Sequence, residues 1–336
     1  MSKIRVYTAE HHNPWFNLAT EDWLFKNFPA DQHVLFLWRN HPCIVIGRFQ
    51  NPWMECDLEK MKEDDIFLSR RQSGGGAVYH DLGNTNFTFM SPADDYSNTR
   101  NFNIILRALS TLGIAGEVSG RNDLLVDGKK FSGSAFKKNA KKAFHHGTLL
   151  INADLNGVSS YLTPDKEKLI SKGIRSVSSR VTNLHDIVSG LTHESVSHAI
   201  IEEFFNTYEE RVAVEDLSID RLMQESSLYD TYKTYSSWQW LYGSSPKFSH
   251  PISARFAWGG ITFDLKIHGG RIQDLEISSD ALSVEFIEYL MRVLPGTAYT
   301  DEAVYEAVVG NIESELSGEY HGMAQDVAAL LQKEAK

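Results

Sequence analysis

A run of arginines and glycines in the first quarter of the chain has the composition of an anion-binding loop. Residues 69–81 read SRRQSGGGAVYHD, with Arg70 and Arg71 just ahead of Gly74, Gly75 and Gly76. Glycine backbone lets N–H groups approach an anion closely, and the planar fork of arginine matches a phosphate or a carboxylate. The motif therefore indicates a site for a phosphate or carboxylate group.

The loop is expected to connect two strands. Apolar residues 66–68 enter it and residues 77–79 leave it, with no helix start on either side. It is therefore neither a P-loop, which needs Gly-Lys-Ser/Thr after its glycines, nor a dinucleotide-binding turn, which opens a helix. The spacing alone also allows a simpler interpretation, a glycine-rich hairpin or bulge with two arginines on the surface.

Lys130 is the strongest candidate for a catalytic cation. It follows Asp127-Gly128, a dipeptide that predicts a hairpin with a type I′ turn when it lies between two strand-like runs. Small residues at 132–135 would let another group approach the ammonium, which can stabilise negative charge in a transition state. Most lysines are instead solvated, and we expect Lys129 to point to the opposite face of the strand.

Two polar pairs flank this hairpin. Asn122-Asp123 precedes it, and an aspartate beside a phosphate-binding lysine is a candidate Mg²⁺ ligand, although an Asx turn is the commoner explanation of such a pair. His145-His146 follows it and is a candidate for lining a pocket. Adjacent strand residues face opposite sides, so the two histidines are not expected to share a zinc ion. The spacing reveals no Ser–His–Asp arrangement and no cysteine nucleophile.

The composition is that of an ordinary globular protein. The 336 residues suggest about two domains, and the formal net charge of -11 disfavours a broad nucleic-acid-binding face. Cys43 and Cys56 form no Cys-x-x-Cys pair, which argues against disulfides or a zinc cluster and predicts a cytoplasmic setting. No segment approaches the ~18 apolar residues that span a membrane, so no membrane partner is expected.

Strand and helix signals alternate through the first two thirds of the chain. Asn13-Pro14 predicts a helix start, with an end at or before Phe28, and Thr192 predicts the start of another helix. Strands are expected at residues 4–7, 35–38, 43–46, 84–90 and 146–151, the strand at 84–90 being half-buried, and further helices at 57–63, 102–113 and 164–172. These elements predict an α+β domain over residues 1–243, with mixed or antiparallel sheets flanked by helices.

A composition shift near residues 243–246 predicts a second, small α+β domain over residues 244–336. Ile261, Phe263, Leu265 and Ile267 alternate with polar residues, as in a strand with one buried face. Amphipathic helices are predicted near 283–294, 300–308 and 323–334. This domain should therefore have a core of its own.

The sequence resembles the lipoate–protein ligase A family over nearly its whole length. The matching blocks follow in the same order at residues 14–19, 34–40, 45–48, 50–53, 70–71, 73–89, 119–123, 130–135, 145–150, 152–155, 179–184, 248–250 and 255–260. The glycine block with its downstream lysine is specific to the wider lipoate/biotin ligase superfamily. The C-terminal blocks narrow the resemblance to the two-domain lipoate ligase and imply a biotin/lipoate ligase-like fold.

The resemblance implies an ATP-dependent ligase that works in two steps. Such enzymes activate lipoate with ATP and Mg²⁺ to lipoyl-AMP and pyrophosphate. They then transfer the lipoyl group to a specific lysine of an apo lipoyl domain, on a 2-oxoacid dehydrogenase subunit or the glycine cleavage H protein. Alternatives on the same fold are a transferase that uses lipoyl-AMP or octanoyl groups without its own adenylation step, and a non-catalytic lipoate-binding protein.

The resemblance also assigns roles to individual residues. Lys130 would contact the lipoate carboxylate and the α-phosphate, and Arg71 the nucleotide. The other matching positions are Gly76, Ala77, Val78 and Tyr79 at ATP, Ser73, Gly74 and Gly75 in the lipoate-binding loop, Asn122 and Asp123 near the adenylate phosphate and Mg²⁺, and Trp38, Val45 and His146 around the lipoyl tail. Residues 164–180 resemble a loop that closes over the adenylate.

Two positions depart from the family pattern. Gln72 follows Arg71 where a serine is typical, and the hairpin before Lys130 is shorter. Gln72 is expected to reshape the loop without removing its backbone donors. A type I′ turn would still hold Lys130 in place, so we expect activity to be retained.

Overall fold

The computed structural model describes residues 3–162, 181–243, 251–268, 270–316 and 318–334. The strands are β1 (Ile4–Ala9), β2 (His33–Trp38), β3 (Cys43–Ile46), β4 (Phe67–Arg70), β5 (Val78–His80), β6 (Asn84–Pro92), β7 (Glu117–Ser119), β8 (Asp123–Val126), β9 (Lys129–Lys138), β10 (Lys142–Leu150), β11 (Val214–Leu217), β12 (Ile252–Phe256), β13 (Gly259–His268) and β14 (Arg271–Ser279). The α-helices are α1 (Pro14–Asn27), α2 (Pro52–Glu55), α3 (Leu58–Glu63), α4 (Asn98–Thr111), α5 (Gly157–Tyr161), α6 (His193–Tyr208), α7 (Ile219–Met223), α8 (Ser226–Tyr235), α9 (Val284–Val293), α10 (Asp301–Tyr305), α11 (Ile312–Glu315) and α12 (His321–Glu334). The α+β class is confirmed.

Two sheets lie in the N-terminal part of the chain. The larger has the order β11-β1-β2-β6-β10-β9-β8-β7. In it β1 runs parallel to β2 and β11, and the remaining pairs are antiparallel, so the predicted mixed sheet is confirmed. The smaller sheet has the order β4-β3-β5. Because β3 separates β4 from β5, the glycine loop between them crosses the sheet, and the simpler hairpin interpretation is wrong.

Helix α1 begins as predicted but is buried on more sides than one. Asn13 caps it by accepting a hydrogen bond from the Phe16 amide, and it ends before Phe28. Besides its apolar residues, the polar residues Asn17 and Glu21 are also buried. The helix lies between the large sheet and α8, so polar side chains on it are enclosed together with apolar ones.

Strand β6 is fully buried, and the prediction of a half-buried strand is wrong. One side of the strand carries Phe87 and Phe89, which join the core beneath α4 and α6. The other side carries Asn86 and Thr88, which are equally enclosed. The polar–apolar alternation therefore separates an apolar core from a polar interior, not from solvent.

The C-terminal part has its own sheet and core. The sheet has the order β12-β13-β14, and α9, α10 and α12 supply side chains to one apolar cluster with it. Ile261 and Phe263 are buried as predicted, but Ile267 is 42% exposed, because the pairing register shifts between Lys266 and Ile267. The expected boundary at 243/244 adjoins residues outside the described ranges and stays a prediction. Within the described ranges, no helix has the length and apolarity needed to cross a membrane.

The β8–β9 hairpin places Lys130 and has the predicted turn. Asp127 and Gly128 have φ angles of 51° and 73°, and positive values at both central residues define a type I′ turn. Lys129 is exposed, whereas Lys130 is partly buried. The hairpin therefore directs these neighbouring lysines to different environments.

We expect Gly128→Ala to lower the free energy of unfolding by about 1 kcal/mol, because an L-residue at positive φ crowds its own backbone. The new methyl group meets no other atom within 4 Å, so the effect is confined to the turn. Urea denaturation measures it. Asp127→Asn is the matched control, since Asn-Gly favours the same turn, and an equal response of the two variants would contradict the turn assignment.

Candidate functional site

A cavity of about 840 Å³ lies among β3, β5, β9 and β10 and is completed by residues of the C-terminal part. Most of the residues predicted from the sequence meet there. Those that line it are Trp38, Val45, Arg71, Gly75, Gly76, Ala77, Val78, Asn122, Asp123, Lys130 and His146. Residues from distant parts of the chain are thus brought to one enclosed space.

Three of the predicted residues do not line this cavity. Ser73 is fully buried. Gly74 packs against the C-terminal part, where an added Cβ would come within 2.0 Å of the Ala281 carbonyl oxygen. Tyr79 stacks on Tyr161 with ring centroids 5.9 Å apart, because alternate residues of β5 point to opposite sides. Contacts of these three residues with nucleotide or lipoate stay predictions.

Arg71 is a buried arginine around which the glycine loop is folded. Its Nη2 donates to the carbonyl oxygens of Gly74 and Gly76 at 2.7 and 2.9 Å, and its Nη1 to that of Val45 at 3.0 Å. Its Nε donates to Ser73 Oγ at 3.0 Å. Burial lowers the pKa of Arg71 to about 10, so the guanidinium is still charged at neutral pH.

These contacts fix the direction of the N–H groups in the loop. In a planar trans peptide the N–H points opposite to the C=O, so the amides of Gly75 and Ala77 point away from Arg71. The Gly75 amide donates to the Ala281 carbonyl oxygen at 2.9 Å, while Ala77 lines the cavity. The sequence suggested that the glycine amides are free to bind an anion. In the structure the Gly75 amide is not free, because it binds the C-terminal part.

Arg70 is also buried, and the interpretation with surface arginines is wrong. Its side chain is 1% exposed. Among the described residues its guanidinium donates to backbone carbonyl oxygens, those of Gly47, Arg48, Gln50, Trp240 and Leu241. Arg70 therefore connects the smaller sheet to the short π-helical segment Gln239–Gly243, and Arg71 shapes the loop.

Gln72, the unusual residue of the loop, is held by β9. Its Oε1 accepts a hydrogen bond from Lys137 Nζ at 3.2 Å. Burial lowers the pKa of Lys137, with opposing contributions from Asp22 and Glu288. The Gln72 side chain thus gives the loop a contact with β9, next to the contacts that Arg71 makes.

Glu21 is a buried carboxylate at the centre of a hydrogen-bond chain. Its Oε1 accepts from His146 Nδ1 at 2.8 Å and from Thr88 Oγ1 at 2.6 Å. His146 Nε2 lies 2.7 Å from Ser73 Oγ, the same oxygen to which Arg71 donates. A continuous chain therefore joins helix α1 to strand β10 and the glycine loop.

Lys130 presents its ammonium at the cavity. Its Nζ lies 2.7 Å from Asp123 Oδ1. A Cβ at Gly133 would come within 2.9 Å of that Nζ, so the small residue leaves the room that the sequence suggested. The Thr182 amide donates to the Lys130 carbonyl oxygen at 2.9 Å. The predicted closing loop at 164–180 lies outside the described residues, and the chain after it resumes beside Lys130.

The C-terminal part makes direct hydrogen bonds to the residues around this site. Besides the bond from Gly75 to Ala281, the Ser279 amide donates to the Phe49 carbonyl oxygen at 2.8 Å. The Lys138 amide donates to Glu285 Oε1 at 3.1 Å. The cavity receives Arg255, Phe256, Ala257, Trp258, Gly259, Asp280 and Leu282 from this part.

Comparison with known proteins decides the family. The model of the lipoyl protein ligase A/B catalytic domain matches residues 13–205, and that of the bacterial lipoate protein ligase C-terminus matches residues 245–330. A lipoate-protein ligase A of Psychrobacter cryohalolentis is 49% identical over 88% of this chain and 89% of its own length. This chain belongs to the lipoate–protein ligase family. A second member, from Bdellovibrio bacteriovorus, is 47% identical over 92% of both chains.

Three solved structures share the fold. P. falciparum LipL1 in complex with lipoate has a TM-score of 0.87 and 33% identity, covering 98% of this chain and 99% of its own. A lipoate-protein ligase A bound with ATP has a TM-score of 0.61 and 27% identity, covering 71% and 98%. A bi-partite ligase of Thermoplasma acidophilum, analysed with its E2 lipoyl domain, has a TM-score of 0.64 and 29% identity, covering 74% and 99%.

The two histidines of β10 face opposite sides, as predicted. His145 lies among the rings of Phe87, Phe102 and Phe136, with the Phe136 centroid 4.7 Å away. Burial lowers the pKa of His145 to about 3, which keeps it neutral. His146 instead lines the cavity of the ligase.

Sequence reasoning missed two kinds of site residue in this ligase. Glu21 lies on a helix whose polar residues would ordinarily face solvent, and nothing in the sequence marks it as buried. Arg255 and Trp258 stood in matching blocks but received no role. Asp280 accepts hydrogen bonds from the Arg255 guanidinium and the Gly260 amide, a pairing that only the fold reveals.

We expect Ser73→Ala to lower the free energy of unfolding by about 1–3 kcal/mol, because buried groups of Arg71 and His146 lose their partner. Ser69→Ala is the matched control. Ser69 is equally buried, and its hydroxyl has no hydrogen-bond partner among the described residues. Denaturation of both variants measures the difference, and equal stabilities would show that the Ser73 contacts contribute nothing.

Proposed function

We propose that this chain is an ATP-dependent lipoate–protein ligase. It forms lipoyl-AMP and pyrophosphate from lipoate and ATP, and then transfers the lipoyl group to a lysine of an apo lipoyl domain. The observation that carries the proposal is Lys130, whose ammonium reaches a cavity shared by the glycine loop and the C-terminal part. The family match and the two relatives with lipoate and ATP support the same activity.

Lys130 supplies what the first step requires. The lipoate carboxylate oxygen attacks the α-phosphorus of ATP, a bond forms between them, and the α–β anhydride bond breaks to release pyrophosphate. This brings two anions together, and a fixed cation within a partly enclosed site offsets their repulsion and stabilises the charge that develops. The Ala77 amide faces away from Arg71, and its N–H is suited to donate a hydrogen bond to a phosphate oxygen.

The second step reuses the same cation. The acceptor lysine amine attacks the carbonyl carbon of lipoyl-AMP, an amide forms, the amine loses a proton and AMP leaves. Negative charge develops on the carbonyl oxygen and on the departing phosphate, both next to the position assigned to Lys130. The same residue therefore stabilises charge in both half-reactions.

Asp123 is suited to a magnesium ion shared with the nucleotide. Mg²⁺ is commonly held by one or two carboxylates together with phosphate oxygens. The Asp123 carboxylate lies in the cavity wall, is one third exposed and is within 2.7 Å of the phosphate-binding candidate Lys130. The donor set fits, and Mg²⁺ bound there would offset phosphate charge.

The lipoyl tail is assigned to the apolar part of the cavity. Leu18, Trp38 and Val45 line it, with His146 beside them. Polarizable sulfur makes favourable contacts with aromatic rings, which suits a dithiolane beside Trp38. The acceptors we propose are lipoyl domains of 2-oxoacid dehydrogenase complexes and the glycine cleavage H protein. A cytoplasmic location stays a prediction, supported by the free, buried Cys43 and Cys56.

A transferase that starts from lipoyl-AMP or octanoyl groups is the alternative within the family. It needs the lipoyl pocket and Lys130 but not ATP. The ligase is favoured because the C-terminal part supplies Arg255 and Asp280 to the same cavity, and a transferase of a preformed adenylate has less use for such a large site. Dependence on ATP separates the two.

We expect Lys130→Ala to abolish the lipoyl mass shift of an apo lipoyl domain incubated with the enzyme, ATP, Mg²⁺ and lipoate. Its matched control is Lys129→Ala, which removes an exposed neighbour and should retain wild-type activity. Mass spectrometry of the domain gives the result. A wild-type protein that modifies the domain only when given lipoyl-AMP would instead be a transferase.

We expect Asp123→Asn to raise the Mg²⁺ concentration needed for half-maximal pyrophosphate release by about tenfold, since a neutral amide is a weaker ligand for a hard cation. Asp127→Asn removes a carboxylate from the same hairpin and should leave that concentration unchanged. A magnesium titration of both variants distinguishes them. Identical curves would remove Asp123 from the metal site.

A further inference from the structure

With a neutral His146 ring and an ionised Glu21, the hydrogen-bond chain at Glu21 permits one arrangement of protons that satisfies every contact. A carboxylate oxygen only accepts, so Thr88 Oγ1 and His146 Nδ1 both donate to Glu21. Thr88 Oγ1 accepts in turn from Trp38 Nε1 at 3.4 Å, an atom that can only donate. The pocket tryptophan is thus connected to Glu21 as well.

The contacts of Ser73, at the other end of the hydrogen-bond chain, lead to the same placement of the protons. Arg71 Nε only donates, so Ser73 Oγ accepts from it and its own proton is left for His146 Nε2. His146 therefore carries its proton on Nδ1 and presents a bare Nε2 to Ser73. A ring protonated on Nε2 would give Ser73 a second donor and leave the serine proton without this acceptor.

We propose that Glu21 is a positioning residue of the ligase. Its carboxylate fixes the tautomer of His146, which fixes the Ser73 hydroxyl, which orients Arg71 and through it the carbonyls of the glycine loop. Glu21 itself does not line the cavity and is 2% exposed. It acts on lipoate and ATP through neighbouring residues, chiefly His146 and the loop, and its part in catalysis rests on the proposed function.

The burial of the chain explains why one distant carboxylate can have this effect. Ser73 is fully buried and His146 is 7% exposed, so water has little access with which to replace a missing partner. A hydrogen bond in such surroundings is stronger than in water, and an unpaired group costs more. Removing the acceptor at Glu21 therefore forces the whole hydrogen-bond chain to rearrange.

The test compares Glu21→Leu with Glu21→Gln. Leucine removes the acceptor, and we expect His146 to lose its Nδ1–H tautomer and kcat/KM for lipoate adenylation to fall about tenfold, mainly through KM. Glutamine keeps an oxygen able to accept both bonds, so the tautomer and most of the activity should be retained. Nitrogen-15 NMR of the histidine rings reports the tautomer, with the His146 signals identified by their absence from His146→Gln.

Asp22→Asn is the matched control. Asp22 is also buried on α1, but its carboxylate pairs with Lys26 at 2.7 Å and has no contact with His146. It should leave the His146 signals unchanged. If Glu21→Leu does not fold, the wild-type spectrum still decides, since a His146 ring that carries a proton on Nε2, alone or together with Nδ1, overturns the proposal. So does a Glu21→Leu spectrum identical to wild type. The NMR readout needs no turnover, so an inactive protein would contradict the ligase function without affecting this test.

Discussion

The shape of the glycine loop depends on two buried charges, the Arg71 guanidinium and the Glu21 carboxylate. Arg71 binds the carbonyl oxygens of Gly74 and Gly76, and Ser73 and His146 connect it to Glu21. Opposite charges at the two ends of an enclosed chain favour a single arrangement. The lipoyl pocket and the nucleotide loop are therefore built as one unit.

Two cations of the site have separate tasks. Arg71 donates to backbone carbonyls and to Ser73 and shapes the loop, whereas Lys130 pairs with Asp123 among the described residues and reaches the cavity. Planar arginine suits several fixed acceptors, and the lysine ammonium suits an anion that changes during reaction. The C-terminal part contacts the same loop through the hydrogen bond from the Gly75 amide to the Ala281 carbonyl oxygen. The position of the C-terminal part therefore also depends on Arg71.

The sequence predicts most of the fold and the cation of the site, but not the way the loop is held. Local signals were sufficient for the Asn13 cap and the turn at Asp127-Gly128, since both depend on neighbouring residues. The buried Glu21 binds Thr88, 67 positions away in sequence, and two of the carbonyl oxygens bound by Arg70 belong to Trp240 and Leu241, 170 and 171 positions away. Residue type alone places such charges on the surface, and only the packed sheets reverse that expectation.

Hydrogen exchange in Arg71→Lys tests most directly whether Arg71 shapes the loop. Lysine keeps the charge but lacks the planar fork that joins several carbonyls. We predict faster exchange at the amides of residues 74–77 in this variant, with exchange around Lys130 unchanged. Wild-type protection of the loop, combined with lost adenylation, would contradict the account and assign Arg71 to the nucleotide itself.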